Sequence, residues 1–127
     1  MPHVTEPRPG RPEATGQPPH PATVLDDVVH QRVRLGVLTV LSEAHECRFA
    51  TLRDELGLTD GNLNRHLRIL EKAGLLQVSK GYEGRRPVTW LRLTRGGRAA
   101  LRAEVAALEE LVSRIRAAAL DPPEGED

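Results

Sequence analysis

The segment "FATLRDELGLTDGNLNRHLRILEKAGLL", Phe49 to Leu76, decides how the rest of the chain is read. Leu52 and Leu56 lie one helical turn apart, Gly57 suits a helix C-cap, and the Thr59 hydroxyl can cap a second helix. In that second helix Leu63, Leu67 and Leu70 form one stripe, and Gly74 closes it. Two short helices joined by a turn of about three residues make a helix-turn-helix. With the leucines turned inward, Gly61, Asn62, Asn64, Arg65, Arg68 and Lys72 lie on or near the outer side. His66 borders the stripe and reads as a structural histidine.

Upstream, residues 1–22 hold seven prolines and no apolar periodicity, the composition of a disordered tail. From Thr23 the pattern changes. Val24, Leu25, Val28 and Val29 precede a second apolar series at Val33, Val37, Leu38, Val40 and Leu41. This spacing predicts one helix running to about Ala44, with His30 as the place for a break.

Downstream, "LLQVSKGYEGRRPVTWLRLT" has a period of two. Leu76, Val78 and Tyr82 share one strand face, and Leu91 and Leu93 share a face of the next strand. Glu83-Gly84 supplies the tight turn, Arg85 and Arg86 make its tip basic, and Pro87 fits an edge strand. Trp90 is expected to pack across the hairpin. Thr94 can cap a last helix, along which Leu101, Val105, Leu108, Val112, Ile115 and Ala119 recur at spacings of four and three. That is the seam of a coiled-coil-like contact. The chain then ends in an acidic tail, residues 121–127. The expected architecture is a single domain over 23–120, mainly α with a small β-hairpin.

Composition limits the chemistry. The 127 residues are 39% hydrophobic, with Phe49, Tyr82 and Trp90 the whole aromatic set, so the core is small and mainly Leu, Val and Ala. A chain this small is marginal on buried area, and a second copy would supply more. Cys47 is the sole cysteine, which excludes an intrachain disulfide. No stretch reaches the roughly 20 apolar residues of a membrane span, and the Pro-rich start lacks a signal peptide's apolar segment. The expected location is the cytoplasm. No Ser/His/Asp arrangement, phosphate-binding glycine loop or paired-cysteine motif is present, so neither enzyme chemistry nor a cofactor is expected. His45 and Cys47, with Glu43 or Glu46 nearby, fall short of the four converging ligands of a zinc site, and Cys47 reads as a buried or inert thiol, with a redox switch as the alternative.

The net charge is zero but uneven. From Asn62 to Arg98, nine basic residues face only Glu71 and Glu83, an excess of seven positive charges. Salt screens beyond about 8 Å, so a polyanion meets this local block and not the sum. An α-helix fits the major groove of B-DNA, where asparagine pairs bidentately with adenine and arginine with guanine. Asn62, Asn64 and Arg65, in the first turns, are the candidates for base readout. Arg68 and Lys72, further along, are candidates for phosphate, as are Lys80, Arg85 and Arg86 around the hairpin tip.

The span Phe49 to Leu101 resembles the winged-helix transcriptional regulators of the MarR and ArsR type, small bacterial proteins built around one such domain. The most specific parts are "LTDGNLNRHLRILEKAGLL", the wing "GYEGRRPVTW" and "LTRGGRAAL". The resemblance implies a winged helix-turn-helix with a long C-terminal dimerisation helix. It implies a homodimeric repressor on double-stranded DNA with an inverted-repeat operator, its recognition helix (about 59–73) in the major groove and its wing (about 80–87) alongside. Carried over by position, Thr59, Asn62, Asn64, Arg65 and Arg68 fall in the reading helix, and Lys80, Arg85 and Arg86 in the wing. Dimerisation would fall to the first and last helices, at Leu25, Val28, Leu101, Val105, Leu108, Val112 and Ile115. The identity of any small-molecule effector stays open. The competing reading is a winged-helix module that binds protein instead of DNA.

Overall fold

The computed structural model describes residues 16–119, so the readings made on residues 1–15 and 121–127 lie outside the described residues. The helix-turn-helix forms as its local signals direct. Helix α3 spans Phe49–Leu56 and α4 spans Asp60–Lys72. Gly57 takes a left-handed φ of 66°, and the N–H of Leu58 donates to Arg53 O at 2.9 Å, which closes α3. The same device closes α4, where Gly74 has φ 78° and the N–H of Leu75 donates to Leu70 O at 3.0 Å. Between them, Thr59 Oγ1 accepts the N–H of Asn62 at 3.2 Å and caps α4. Leu63, Leu67 and Leu70 are buried as their spacing requires, against a core that includes Leu38, Leu41, Leu52, Leu76 and Leu91.

The single helix expected from Thr23 to Ala44 is two helices, α1 over Pro21–Val24 and α2 over Arg32–Glu43. α1 therefore begins inside the stretch 1–22 read as tail, and Pro21 is buried. The break extends well to either side of His30, and short polar side chains make it. Asp26 Oδ1 accepts the N–H groups of Val28 (2.8 Å) and Val29 (3.2 Å), and Gln31 Oε1 accepts that of Arg34 (2.9 Å), capping α2. These bonds give the backbone an alternative to the helical ladder. They also deliver Val29 to the core, where it is fully buried.

The sheet has three strands where two were expected. Strand β1 is only Cys47–Arg48, β2 is Leu76–Glu83 and β3 is Arg86–Leu93, in the antiparallel order β1-β3-β2. The hairpin register runs from Leu76 opposite Leu93 to Glu83 opposite Arg86. The tight turn is thus Gly84-Arg85, one residue further on than Glu83-Gly84, and Gly84 has the positive φ, 65°, that the turn requires. Pro87 lies on the central strand, but β1 pairs only with Trp90 and Leu91 and stops short of it. Opposite Tyr82, Pro87 sits one place from the closing pair, where an antiparallel ladder asks for no hydrogen bond. Its missing N–H is therefore harmless there.

Helix α5, Arg95–Ala119, starts under tight constraint. Thr94 Oγ1 accepts the N–H of Gly97 at 2.9 Å and donates to Gly74 O at 2.6 Å, joining the start of α5 to the end of α4. A β-carbon at Gly97 would collide with the carbonyl oxygen of Leu75 and the Leu93 side chain, so this crossing admits only glycine. The "TRGGR" stretch is a packing joint. The whole is mainly helical with a small antiparallel sheet, the expected fold class.

Candidate nucleic-acid interface

The leucine stripe of α4 fixes which side chains are left for solvent. Gly61, Asn64, Arg65, Arg68 and Lys72 are exposed, and Thr59 is exposed at the cap. His66 is buried, as its place beside the stripe suggested. Asn62 is only half-exposed, and its Oδ1 is buried without a hydrogen-bond partner. An orphaned buried acceptor costs about 1–3 kcal/mol. Among the candidates for base readout, Asn64 and Arg65 therefore project freely, while Asn62 lies at the edge of the helix's contact with the body.

The second group is the wing. Lys80, Arg85 and Arg86 are all exposed on the hairpin, which leaves α4 directly after Gly74 and Leu75. Tyr82 shares a strand face with Leu76 and Val78, yet it is 78% exposed because the hairpin outruns the core. Trp90 packs on the sheet's other face, beneath Arg48, whose guanidinium carbon lies 5.0 Å from the ring centroid.

Two acidic residues of this surface, Asp60 and Glu83, are paired with arginines that were not among the sequence candidates, while Glu71 is exposed on α4. At the start of α4, Asp60 is paired with Arg53 Nη1 at 2.8 Å, and Arg53 Nε also holds Asp54 at 2.9 Å. The two carboxylates keep the Arg53 guanidinium charged, pushing its pKa above the usual arginine range. On the wing, Glu83 is paired with Arg48. Among the described residues, Arg65, Arg68, Lys72, Lys80, Arg85 and Arg86 enter no ion pair. The arrangement is a surface of positive charge: among the described residues six cations on α4 and the wing are unpaired, Asp60 and Glu83 are held by their own arginines, and Glu71 is the acidic group left exposed beside them.

A family comparison agrees with this geometry. Residues 33–112 match the model of the winged helix DNA-binding domain. The chain belongs to this family. An uncharacterised protein of Methanocaldococcus jannaschii is similar to this winged helix, 34% identical over 83 residues that cover 65% of this chain and 90% of the relative. Among solved structures, a transcriptional regulator homologue from Pyrococcus horikoshii superposes with a TM-score of 0.65 at 28% identity, covering 75% of this chain and 89% of that one. The M. tuberculosis transcriptional regulator MOSR, solved with DNA, shares the fold with a TM-score of 0.59 at 24% identity, over 75% of this chain and 68% of its own. The resemblance to MarR-type winged-helix regulators read from the sequence holds.

In this winged helix α5 presents two sides. Gly97, Glu104 and Ala107 are buried against the body, and Leu101 and Leu108 are half-buried. Val105, Val112 and Ile115 are 44%, 46% and 56% exposed, an apolar row on the outer side of the helix. Leu25 and Val28 are half-buried, and Val28 packs against the core of its own chain.

Cys47 is buried in β1, its thiol donating to Arg48 O at 3.4 Å. Burial, with Glu55 adding to it, pushes the thiol pKa up, so little thiolate forms at neutral pH. Among the described residues no group of three or more His, Cys, Asp or Glu is arranged to hold a metal ion. None of the described helices is long and apolar enough to cross a membrane.

Proposed function

We propose that this chain is a transcriptional regulator that reads double-stranded DNA as a homodimer, acting as a repressor on an inverted-repeat operator in the cytoplasm. The observation that carries the reading is the set of six unpaired cations on α4 and the wing, beside two acidic groups already neutralised by Arg48 and Arg53. In this reading α4 enters the major groove. Asn64 and Arg65 read base edges, Asn62 turns outward, and Thr59 and the first backbone N–H groups meet phosphate. Arg68 and Lys72 neutralise the backbone on one side, and Lys80, Arg85 and Arg86 do so on the other.

Dimerisation runs through Val105, Val112 and Ile115, with Leu101 and Leu108 at the edge of the contact and Leu25 and Val28 contributing from the segment against α5. The exposed apolar row supports this assignment, since a monomer would leave it in water.

The experiment is a selection of random duplexes on the purified protein, followed by binding of the enriched site across a salt series. The expected product is an inverted repeat with half-sites about one helical turn apart. Its affinity should fall steeply with salt, with a log–log slope of about −0.9 per neutralised phosphate. No enrichment, with binding insensitive to salt, would replace this reading by the protein-docking one.

A further inference from the structure

Two polar anchors grip the segment between α1 and α2 from opposite parts of the molecule. From one side comes Glu104, in the middle of α5 and only 2% exposed. Its Oε1 accepts the backbone N–H of Asp26 at 3.3 Å, and its Oε2 accepts from His30 Nδ1 at 2.7 Å. From the other side comes Arg34, in the first turn of α2. Its Nε donates to Val28 O at 2.6 Å and its Nη2 to Asp27 O at 3.3 Å, while its Nη1 donates to His66 Nδ1 at 3.2 Å. All three guanidinium nitrogens are committed, two to the segment and one to the recognition helix.

The segment itself is stiff. Asp26 Oδ1 holds the N–H groups of Val28 and Val29, and Val29 is fully buried. An unbroken polar path therefore runs from α5 through Asp26 and His30, along the backbone of Asp27 and Val28, to Arg34 and His66 on α4.

Stability alone does not call for this path. A carboxylate buried in the middle of a helix gives up its hydration, and an aliphatic side chain of similar volume there is often neutral or better. What the polar version supplies is direction, because Glu104 is satisfied only while Asp26 and His30 stay in register with α5. The same holds at α4. His66 lies one turn after Asn62, whose Oδ1 is orphaned, and immediately after Arg65. Burial and the nearby guanidinium groups of Arg34 and Arg65 hold its ring neutral at pH 7, which leaves Nδ1 free to accept.

We propose that Arg34 and His66 are positioning residues for DNA reading, which register the recognition helix to the 26–30 segment and, through Glu104, to α5. The inference rests on the DNA-binding reading above. Its consequence is that the seating of α4, and so the specificity of the first-turn residues, depends on where α5 lies.

The test uses the full chain and two independent readouts. In the first, wild type, His66→Phe and His66→Asn are titrated with the selected duplex and with a random duplex of equal length. His66→Phe keeps a ring but loses the acceptor; it should weaken the selected duplex about tenfold and the random one less than about twofold. His66→Asn keeps an acceptor near the Nδ1 position and should restore most of the loss. Equal losses on both duplexes, or none, would overturn the proposal. In the second, hydrogen exchange of the DNA-free protein is compared between wild type and Glu104→Gln, which retains an acceptor for Asp26 but loses the charge facing His30. Faster exchange in the first turns of α4 is expected; a change confined to α5 and residues 26–30 would overturn the linkage. If wild type selects no duplex, the DNA-binding reading fails while the exchange result still decides whether α5 and α4 are linked.

Discussion

Arg53 of α3 reaches across the turn of the helix-turn-helix and holds Asp60, the first residue of α4, at 2.8 Å. The pair keeps a carboxylate at the favourable N-terminal end of the helix dipole while cancelling its field toward an approaching polyanion. Arg53→Ala should therefore weaken binding to every duplex, by less than about tenfold at physiological salt, where screening limits a single exposed charge. Adding Asp60→Asn should recover the loss. Titrations of both variants check this, and a double variant no better than Arg53→Ala would show that Arg53 itself contacts DNA.

Arg65 and Arg85 are both exposed cations, but on different elements. Arg65→Ala should lose about 1–3 kcal/mol on the selected site and relax the preference at one base position. Arg85→Ala, in the wing turn, should lower affinity alike for all sequences and reduce the salt slope by about one. Competition binding with single-base operator variants separates the two behaviours.

Two glycines should respond oppositely to alanine. Nothing approaches a β-carbon at Gly61, so Gly61→Ala should raise stability by up to about 1 kcal/mol through helix propensity. A simultaneous fall in DNA affinity would show that the α4 backbone comes close to the duplex there. Gly97→Ala meets the Leu75 carbonyl and the Leu93 side chain and should destabilise by about 1–3 kcal/mol, as overpacking does. Urea midpoints measure both.

Val112 is 46% exposed on α5, so a charge there leaves the fold of one chain intact. Val112→Glu should convert a dimer into monomers while the thermal unfolding signal stays cooperative. Sedimentation showing the same mass before and after substitution would exclude this row as the dimer contact.

His66 sets a pH dependence. Burial, then Arg34 and Arg65, hold its pKa in the folded protein below the ordinary value of about 6.5. The unfolded chain therefore binds more protons once pH falls through about 6.5, and the contribution of His66 to stability, whole above that pH, is lost toward its folded pKa. Urea midpoints of wild type should drop between pH 7.5 and 5.5 by more than those of His66→Asn. Parallel curves for the two proteins would assign the acid loss to other groups.

Much of the candidate surface on α4 and the wing is legible in the chain itself, because its signals are local. Thr59, Gly57, Gly74 and the Leu63, Leu67, Leu70 stripe act within one or two turns, and they determine where α4 begins, ends and faces. The same holds for the hairpin, whose alternation spans eight residues per strand, although the turn moved one residue because only the pairing of Glu83 with Arg86 sets the register. The two-residue strand β1 has no period to read and exists only because Leu91 and Trp90 lie beside it.

Charge is where sequence alone runs out. A count of basic residues finds the positive block, but which acidic groups it contends with depends on Arg48 reaching Glu83 and Arg53 reaching Asp60 across separate elements. The long helix expected before Ala44 fails for a related reason: Asp26, which caps the break, is bonded to Glu104 at a separation of 78 residues. Periodicity and capping are properties of neighbours in sequence, so the chain by itself determined that α4, the hairpin and α5 form; packing decided which members of the α5 seam stay exposed, since Leu101 and Leu108 turn partly against the body. The partners of Glu104, Arg34, Arg48 and Arg53 are neighbours only in space, and only the packed fold decided them.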